Sequence, residues 1–322
     1  MVGKGTEKKG SVWVALRVPD GYISGHANQS RIATFPLNDP ENCLYAEDVI
    51  DFARSKGWFS GEDSEFSFRD AYCPADFGAL RGCEARVWSA FNILSHGWFT
   101  FEETKGNLVT KDAYSYVDYA MGHNPDNRMP LWIKPAKKVT VKNVADVMRD
   151  HYEGTPMDMT TDIGAGGNAL PYRWRPMDFE YEGKKYTNER AIATQQTGFW
   201  FVGQARGNYP DVIGGILWFG TDDAATSYVT PIYSNTEKVP ECFRQGNGNL
   251  LSYSATSSFW INNRISNACY RMYNIMAPYV RERIDKFENE QMEKVRQNDV
   301  KALELFKKSM DSAEKAGKKK SL

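Results

Sequence analysis

The hydrophobic residues change period several times along this chain, and that succession limits its architecture more than any other feature. Val12, Val14, Leu16 and Val18 alternate with Trp13, Ala15 and Arg17, the two-residue period of a strand. Pro19-Asp20-Gly21 supplies turn chemistry and Tyr22 to Ala27 reads as a returning strand, so a hairpin is expected at the start. From about residue 43 to 155 the period becomes helical. Leu80, Cys83, Val87, Phe91 and Leu94 fall three and four apart and define one helical stripe. Val141, Val144, Ala145 and Met148 define another, with Thr140 as its N-cap and Gly154 beyond its end. A shorter helix is expected from Ala46 to Ser55, and aromatics such as Trp58, Phe66, Phe68, Trp98 and Trp132 punctuate the loops. Strand signals return within residues 194–235, where three runs separated by turn residues predict an antiparallel meander. Residues 258–316 are helical again, with Pro278 expected to kink or break the stripe begun by Trp260, Ile261 and Ile265.

This order predicts an α+β protein with helices layered on antiparallel sheets, in a single domain over residues 1–322. The 322 residues, 41% of them hydrophobic, suffice for a packed core. Lys plus Arg number 40 against 41 Asp plus Glu, so no global field draws the chain to nucleic acid or anionic lipid. No apolar run reaches the roughly 18 to 20 residues of a membrane span, and the first ten residues lack the apolar core of a signal peptide. The compartment is left open. Five cysteines without a two-residue pair indicate neither a disulfide framework nor a zinc ribbon. The four scattered histidines form no HExxH-type ligand pair, and no metal or cofactor is expected. The glycines of Asp162 to Gly167 lack the Lys-Ser/Thr and the strand-to-helix context of a phosphate loop. No GxSxG-type elbow supports an internal serine triad.

Four strings point further. They are Arg17-Val18-Pro19-Asp20-Gly21-Tyr22-Ile23-Ser24-Gly25-His26-Ala27-Asn28-Gln29-Ser30-Arg31-Ile32, Ala79-Leu80-Arg81-Gly82-Cys83-Glu84-Ala85-Arg86-Val87-Trp88, Thr194-Gln195-Gln196-Thr197-Gly198-Phe199, and Ile213-Gly214-Gly215-Ile216-Leu217-Trp218-Phe219-Gly220. With Asp162-Ile163-Gly164-Ala165-Gly166 and Pro171-Tyr172-Arg173-Trp174-Arg175 between them, the chain resembles the dipeptidases of peptidase family C69. The resemblance implies an N-terminal-nucleophile hydrolase with an αββα sandwich, here partial, carrying a helical insertion and long C-terminal helices. It implies dipeptide substrates and a cysteine nucleophile whose own α-amine is the general base. Met1-Val2-Gly3 resembles a point after the family's first strands, so the nucleophile segment is expected to be missing from this chain and the chain inactive alone. A partner carrying that segment, or a second copy of the chain, is the expected complement. The alternative is a non-catalytic homologue with a binding or structural role.

In related acylases of the superfamily an Asn near a strand end faces the oxyanion, and His26-Ala27-Asn28 resembles that element; the competing reading is a turn cap at Asn28. Arg81 resembles an arginine that starts a helix close to the nucleophile, with Arg86 as its competitor and ion pairing to Glu84 as the structural alternative for both. Arg31, Gln196 and Arg206 lie on or beside expected strands and are candidates to line the substrate cleft. Asp162 is a candidate for the substrate amine, against simple hydrogen bonding to its own loop. His151, near a helix end, reads as a cap.

Overall fold

The computed structural model describes residues 10–173 and 178–320; Met1 to Gly3, and Trp174 and Arg175 of the Pro171 string, lie outside them. The chain is α+β, with every sheet antiparallel, and it divides into two compact units. The first takes in Met1–Val139 and Pro176–Arg190, the second Thr140–Arg175 and Ala191–Leu322.

In the first unit, β1 (Val14–Leu16) pairs with β3 (Cys43–Tyr45), whereas β2 (Ile23–Ser24) pairs with β6 (Trp132–Ile133). The hairpin expected of the first two strands therefore does not form. Its turn does: the Tyr22 amide donates to Pro19 O at 3.1 Å and Gly21 takes a φ of 83°. Strands of three and two residues gain little from each other. Their distant partners bring Cys43 and Ile133 into buried positions instead.

Helices α1 (Val49–Ser55), α2 (Phe68–Tyr72) and α3 (Phe77–Ala79) lead into a π-turn at Leu80–Glu84 that continues as α4 (Ala85–Ser95). The predicted stripe is real: Leu80, Val87 and Phe91 are buried, with Trp88 fully enclosed beside them. His96 and Gly97 end the helix in left-handed conformations, at φ 54° and 89°. The chain then enters a hairpin of β4 (Trp98–Thr104) and β5 (Asn107–Asp112), followed by α5 (Val117–Ala120). This hairpin stands inside the segment expected to be mainly helical. Phe99 and Phe101 alternate inward along β4, so Trp98 opens a strand and is not a loop aromatic. A second hairpin, β7 (Asp178–Tyr181) and β8 (Lys184–Thr187), also belongs to this unit.

In the second unit Thr140 caps α6 (Val141–Val147) as predicted, closing a capping box with Asn143. The meander is also as expected: β9 (Phe199–Ala205), β10 (Gly215–Thr221) and β11 (Thr230–Tyr233) lie in the order 11-10-9, with α7 (Asp211–Gly214) in the first connection. Trp200, Val202, Ile216 and Trp218 point from one face into a core shared with Ala145 and Val295. Each such side chain contributes about 1.5–3 kcal/mol by burial. The intervening Phe199 and Phe201 stay exposed. Helix α8 (Ser258–Cys269) ends well before Pro278, and α9 (Tyr273–Lys320) runs through it. The break falls at residues 270–272 and not at Pro278, which lies in the second turn of α9, where its missing N–H removes a single helical bond.

Candidate functional site

Residues 25–31 of the first unit lie against α4 because Gly25 allows it. A Cβ at that position would meet Val87 Cγ1 at 3.2 Å, a contact tight enough that a larger residue would have to push Val87 aside. Three residues later Asn28 adopts a left-handed φ of 60°, a conformation asparagine tolerates better than most residues. Its side chain is exposed. Arg86, the second residue of α4, donates from Nη2 to Asn28 Oδ1 at 2.7 Å and to Ala27 O at 3.3 Å, and from Nε to Gly82 O at 2.9 Å. With Oδ1 engaged by a cation, the donor end of the Asn28 amide, Nδ2, is the end left for a ligand.

Beneath this loop lies a buried ion triad. Arg31 Nε donates to both Glu84 carboxylate oxygens, at 3.1 and 3.0 Å, and Arg69 Nη2 stands 3.5 Å from Glu84 Oε1. Arg31 also binds Gly25 O, Leu131 O and Pro130 O, so its guanidinium clamps the loop that presents Asn28. The π-turn sets Glu84 at this depth, and π-bulges recur at functional sites. Burial and the nearby Arg31 guanidinium push the His26 imidazole below its ordinary pKa. Burial pushes the Cys83 thiol up more strongly than Arg86 draws it down, and burial likewise raises the thiols of Cys43 and Cys269.

Arg81 does not reach toward Asn28 through any bond of its own. It donates from Nε to Thr187 O at 3.2 Å and from Nη1 to Met121 O at 3.4 Å, and it pairs with Glu189. It thereby ties the end of the β7–β8 hairpin to the π-turn.

The remaining candidates lie in the second unit. Asp162 caps the short 3-10 turn Ile163–Asn168 by accepting from the Ala165 amide at 2.9 Å, and it pairs with Arg173. Arg206 pairs with Asp299 on α9 and stacks over Tyr209 at 4.2 Å. Gln196 is exposed in the turn before β9.

A network that sequence reasoning missed fills the interior of this unit. His151 is fully buried, four residues past the end of α6, and is not a cap. Its Nδ1 lies 2.9 Å from Glu153 Oε1 and its Nε2 3.0 Å from Tyr172 OH. Tyr172 donates to Asp223 Oδ2, which also accepts from Tyr270 OH at 2.9 Å. Burial raises the Asp223 carboxyl above the usual carboxylate range, and burial with the nearby Asp223 raises both tyrosines. Asp222, at φ 67°, accepts from Ser266 at 2.7 Å. In sequence Asp222-Asp223 reads as a turn, and only the His151-x-Glu153 spacing hints at the cluster.

A cavity of about 480 Å³ beside Glu153 is lined by Asp146, Arg149 and Arg281, but those charges are already paired with one another or with Lys142, Asp285 and Glu288. Among the described residues no group of three or more His, Cys, Asp or Glu side chains is placed to hold a metal ion, and no helix is long and apolar enough to cross a membrane.

Comparison with known proteins follows the strings seen in the sequence. The model of peptidase family C69 matches residues 1–286. A probable dipeptidase of Latilactobacillus sakei is 25% identical over 236 residues, which are 73% of this chain and 41% of that protein. A probable dipeptidase of Salmonella dublin is 24% identical over 70% of this chain and 42% of its own length. Probable dipeptidase B of Lactococcus lactis is 23% identical over 79% and 45%. The chain thus spans less than half the length of the curated relatives it matches.

Proposed function

Because the chain belongs to peptidase family C69, we propose that it forms part of an enzyme that hydrolyses the amide bond of dipeptides, with Asn28 as the oxyanion donor. The observation that carries this reading is the pairing of Arg86 with Asn28 Oδ1 on an exposed, left-handed residue. A neighbouring cation polarises the amide, and its Nδ2–H is held ready for the charge that develops on a carbonyl oxygen. Arg86 adds positive charge to the same spot.

In the chemistry that the family resemblance implies, a cysteine thiolate adds to the peptide carbonyl and the C=O electron pair moves to oxygen. Collapse of this oxyanion expels the amine, which takes the proton held by the general base. Water then cleaves the thioester. On the family resemblance we assign the attacking thiolate to residues outside these 322; the raised thiols of Cys43, Cys83 and Cys269 speak against those three. Arg31 and Arg81 enter as positioning residues, the first through the loop that carries Asn28 and the second through the π-turn.

The test is Asn28→Gly in a form of the protein that hydrolyses dipeptides, since glycine accepts the same backbone angle without the amide. A kcat lower by about 10²–10³-fold with little change in KM is expected, the usual loss for one oxyanion donor. A kcat within two-fold of the parent removes Asn28 from the reaction. Hydrolysis by the 322-residue chain alone overturns the assignment of the thiolate.

A further inference from the structure

Next to the π-turn the first unit contains a cavity of about 530 Å³, lined by Asp76, Phe77, Gly78, Phe179, Glu180, Lys185, Tyr186 and Thr187. That is within the range of small-ligand sites, roughly 300–1,000 Å³. Its walls come from α3 on one side and the β7–β8 hairpin on the other, both within one compact unit. Phe179 and Tyr186 are cross-strand partners, stacked 5.2 Å apart with ring planes 11° from parallel, and they remain 55% and 40% exposed. Two large rings held parallel and left open to solvent beside a concavity form a surface suited to a flat apolar guest. Asp76, Glu180 and Lys185 supply charge of both signs around it.

The cavity is joined to the Asn28 site by a short run of contacts. Thr187, in its wall, accepts from Arg81. Gly82, next in sequence, accepts from Arg86, and Arg86 holds Asn28. We infer that this cavity is a substrate side-chain pocket, and that it selects dipeptides carrying an aromatic residue. The inference rests on the dipeptidase reading for the identity of its guest.

Binding is measured separately from hydrolysis, by fluorine NMR of 4-fluoro-L-phenylalaninamide titrated with the folded chain. Saturable broadening is expected, at least ten-fold weaker in Phe179→Ala and Tyr186→Ala. Tyr186→Phe should retain it. Gly78→Leu should block it as well; a Cβ there meets only Asp76 Oδ1, at 3.6 Å, so the added side chain fits the fold and occupies the cavity. Absence of binding, or binding that these three variants leave unchanged, overturns the pocket. In a dipeptide-hydrolysing form, Phe179→Ala should lower the kcat/KM preference for a phenylalanine-containing dipeptide over Ala-Ala by about ten-fold, within the range of apolar pocket discrimination. An unchanged preference overturns the selective role. Probe binding persists in Asn28→Gly, so failure of the oxyanion assignment leaves a result distinct from failure of the pocket.

Discussion

Each unit buries a cluster of ionisable groups, and the two are built to different ends. In the first, Glu84 lies between Arg31 and Arg69, and Arg31 spends its spare donors on Gly25 O, in the loop that carries Asn28 to the surface, and on Pro130 and Leu131 O just before β6. In the second, Glu153, His151, Tyr172, Asp223 and Tyr270 bond to one another in series. Buried polar groups must find partners, and both clusters meet that requirement at most of their atoms; in the first, Arg69 Nε is left without one. The difference lies in where the last donor ends. The first cluster supports a donor that faces solvent, while the second spends its donors on its own acceptors. Residue type alone therefore does not mark a site: buried Arg31 is a clamp, and exposed Asn28 is the group we propose for chemistry.

Breaking the centre of each cluster should show this contrast. Glu84→Ala leaves two guanidiniums buried without their carboxylate, and a loss of about 3–5 kcal/mol is expected, read as a shift in the denaturant midpoint. A loss below about 1 kcal/mol would mean that the triad does not anchor the loop. Tyr172→Phe removes one hydroxyl from the chain of the second unit and strips a partner from both His151 and Asp223. It should cost about 1–3 kcal/mol in the same assay. If it also alters dipeptide turnover at matched folded fraction, the second cluster is not merely structural.

The smallest effect expected is a pH dependence at Glu153. Burial raises its carboxyl, but hydrogen bonds from the ring and backbone of His151 outweigh that and hold it below the 4.5 of a free glutamate. Its folded pKa is lowered, so its contribution is complete above pH 4.5 and disappears as the pH falls through the folded value. Because its side chain is 48% exposed, solvent screens the effect. Glu153→Gln should narrow the stability gap between pH 6 and pH 3. An identical gap in parent and variant would remove Glu153 from the acid response.

Much of this was legible in the chain itself. The stripe from Leu80 to Phe91, the Thr140 cap and the three-stranded meander all follow from periods and capping chemistry that act within a few residues. Asn28, Arg81 and Arg86 were legible as candidates through the strings around them. Their division of labour was not. Arg81 and Arg86 are five residues apart on one helical run, yet one faces Thr187 and Glu189 and the other Asn28, a separation created by the π-turn and by a hairpin about a hundred residues on.

The sequence by itself determined the α+β class, the family and most of the helices and the meander, though not the β4–β5 hairpin, because local periodicity and short strings need no distant partner. Tertiary structure alone decided the partners. The apparent hairpin of β1 and β2 separates because so short a pair gains little by itself, and pairing with β3 and β6 instead places Cys43 and Ile133 in the interior. Asp222-Asp223, a turn by composition, becomes the anchor of a buried network because the surrounding tyrosines and Ser266 arrive from elsewhere in the chain. Pairing of polar groups in a dry interior is a requirement of the packed state, and a linear pattern of residues does not record which groups will meet there.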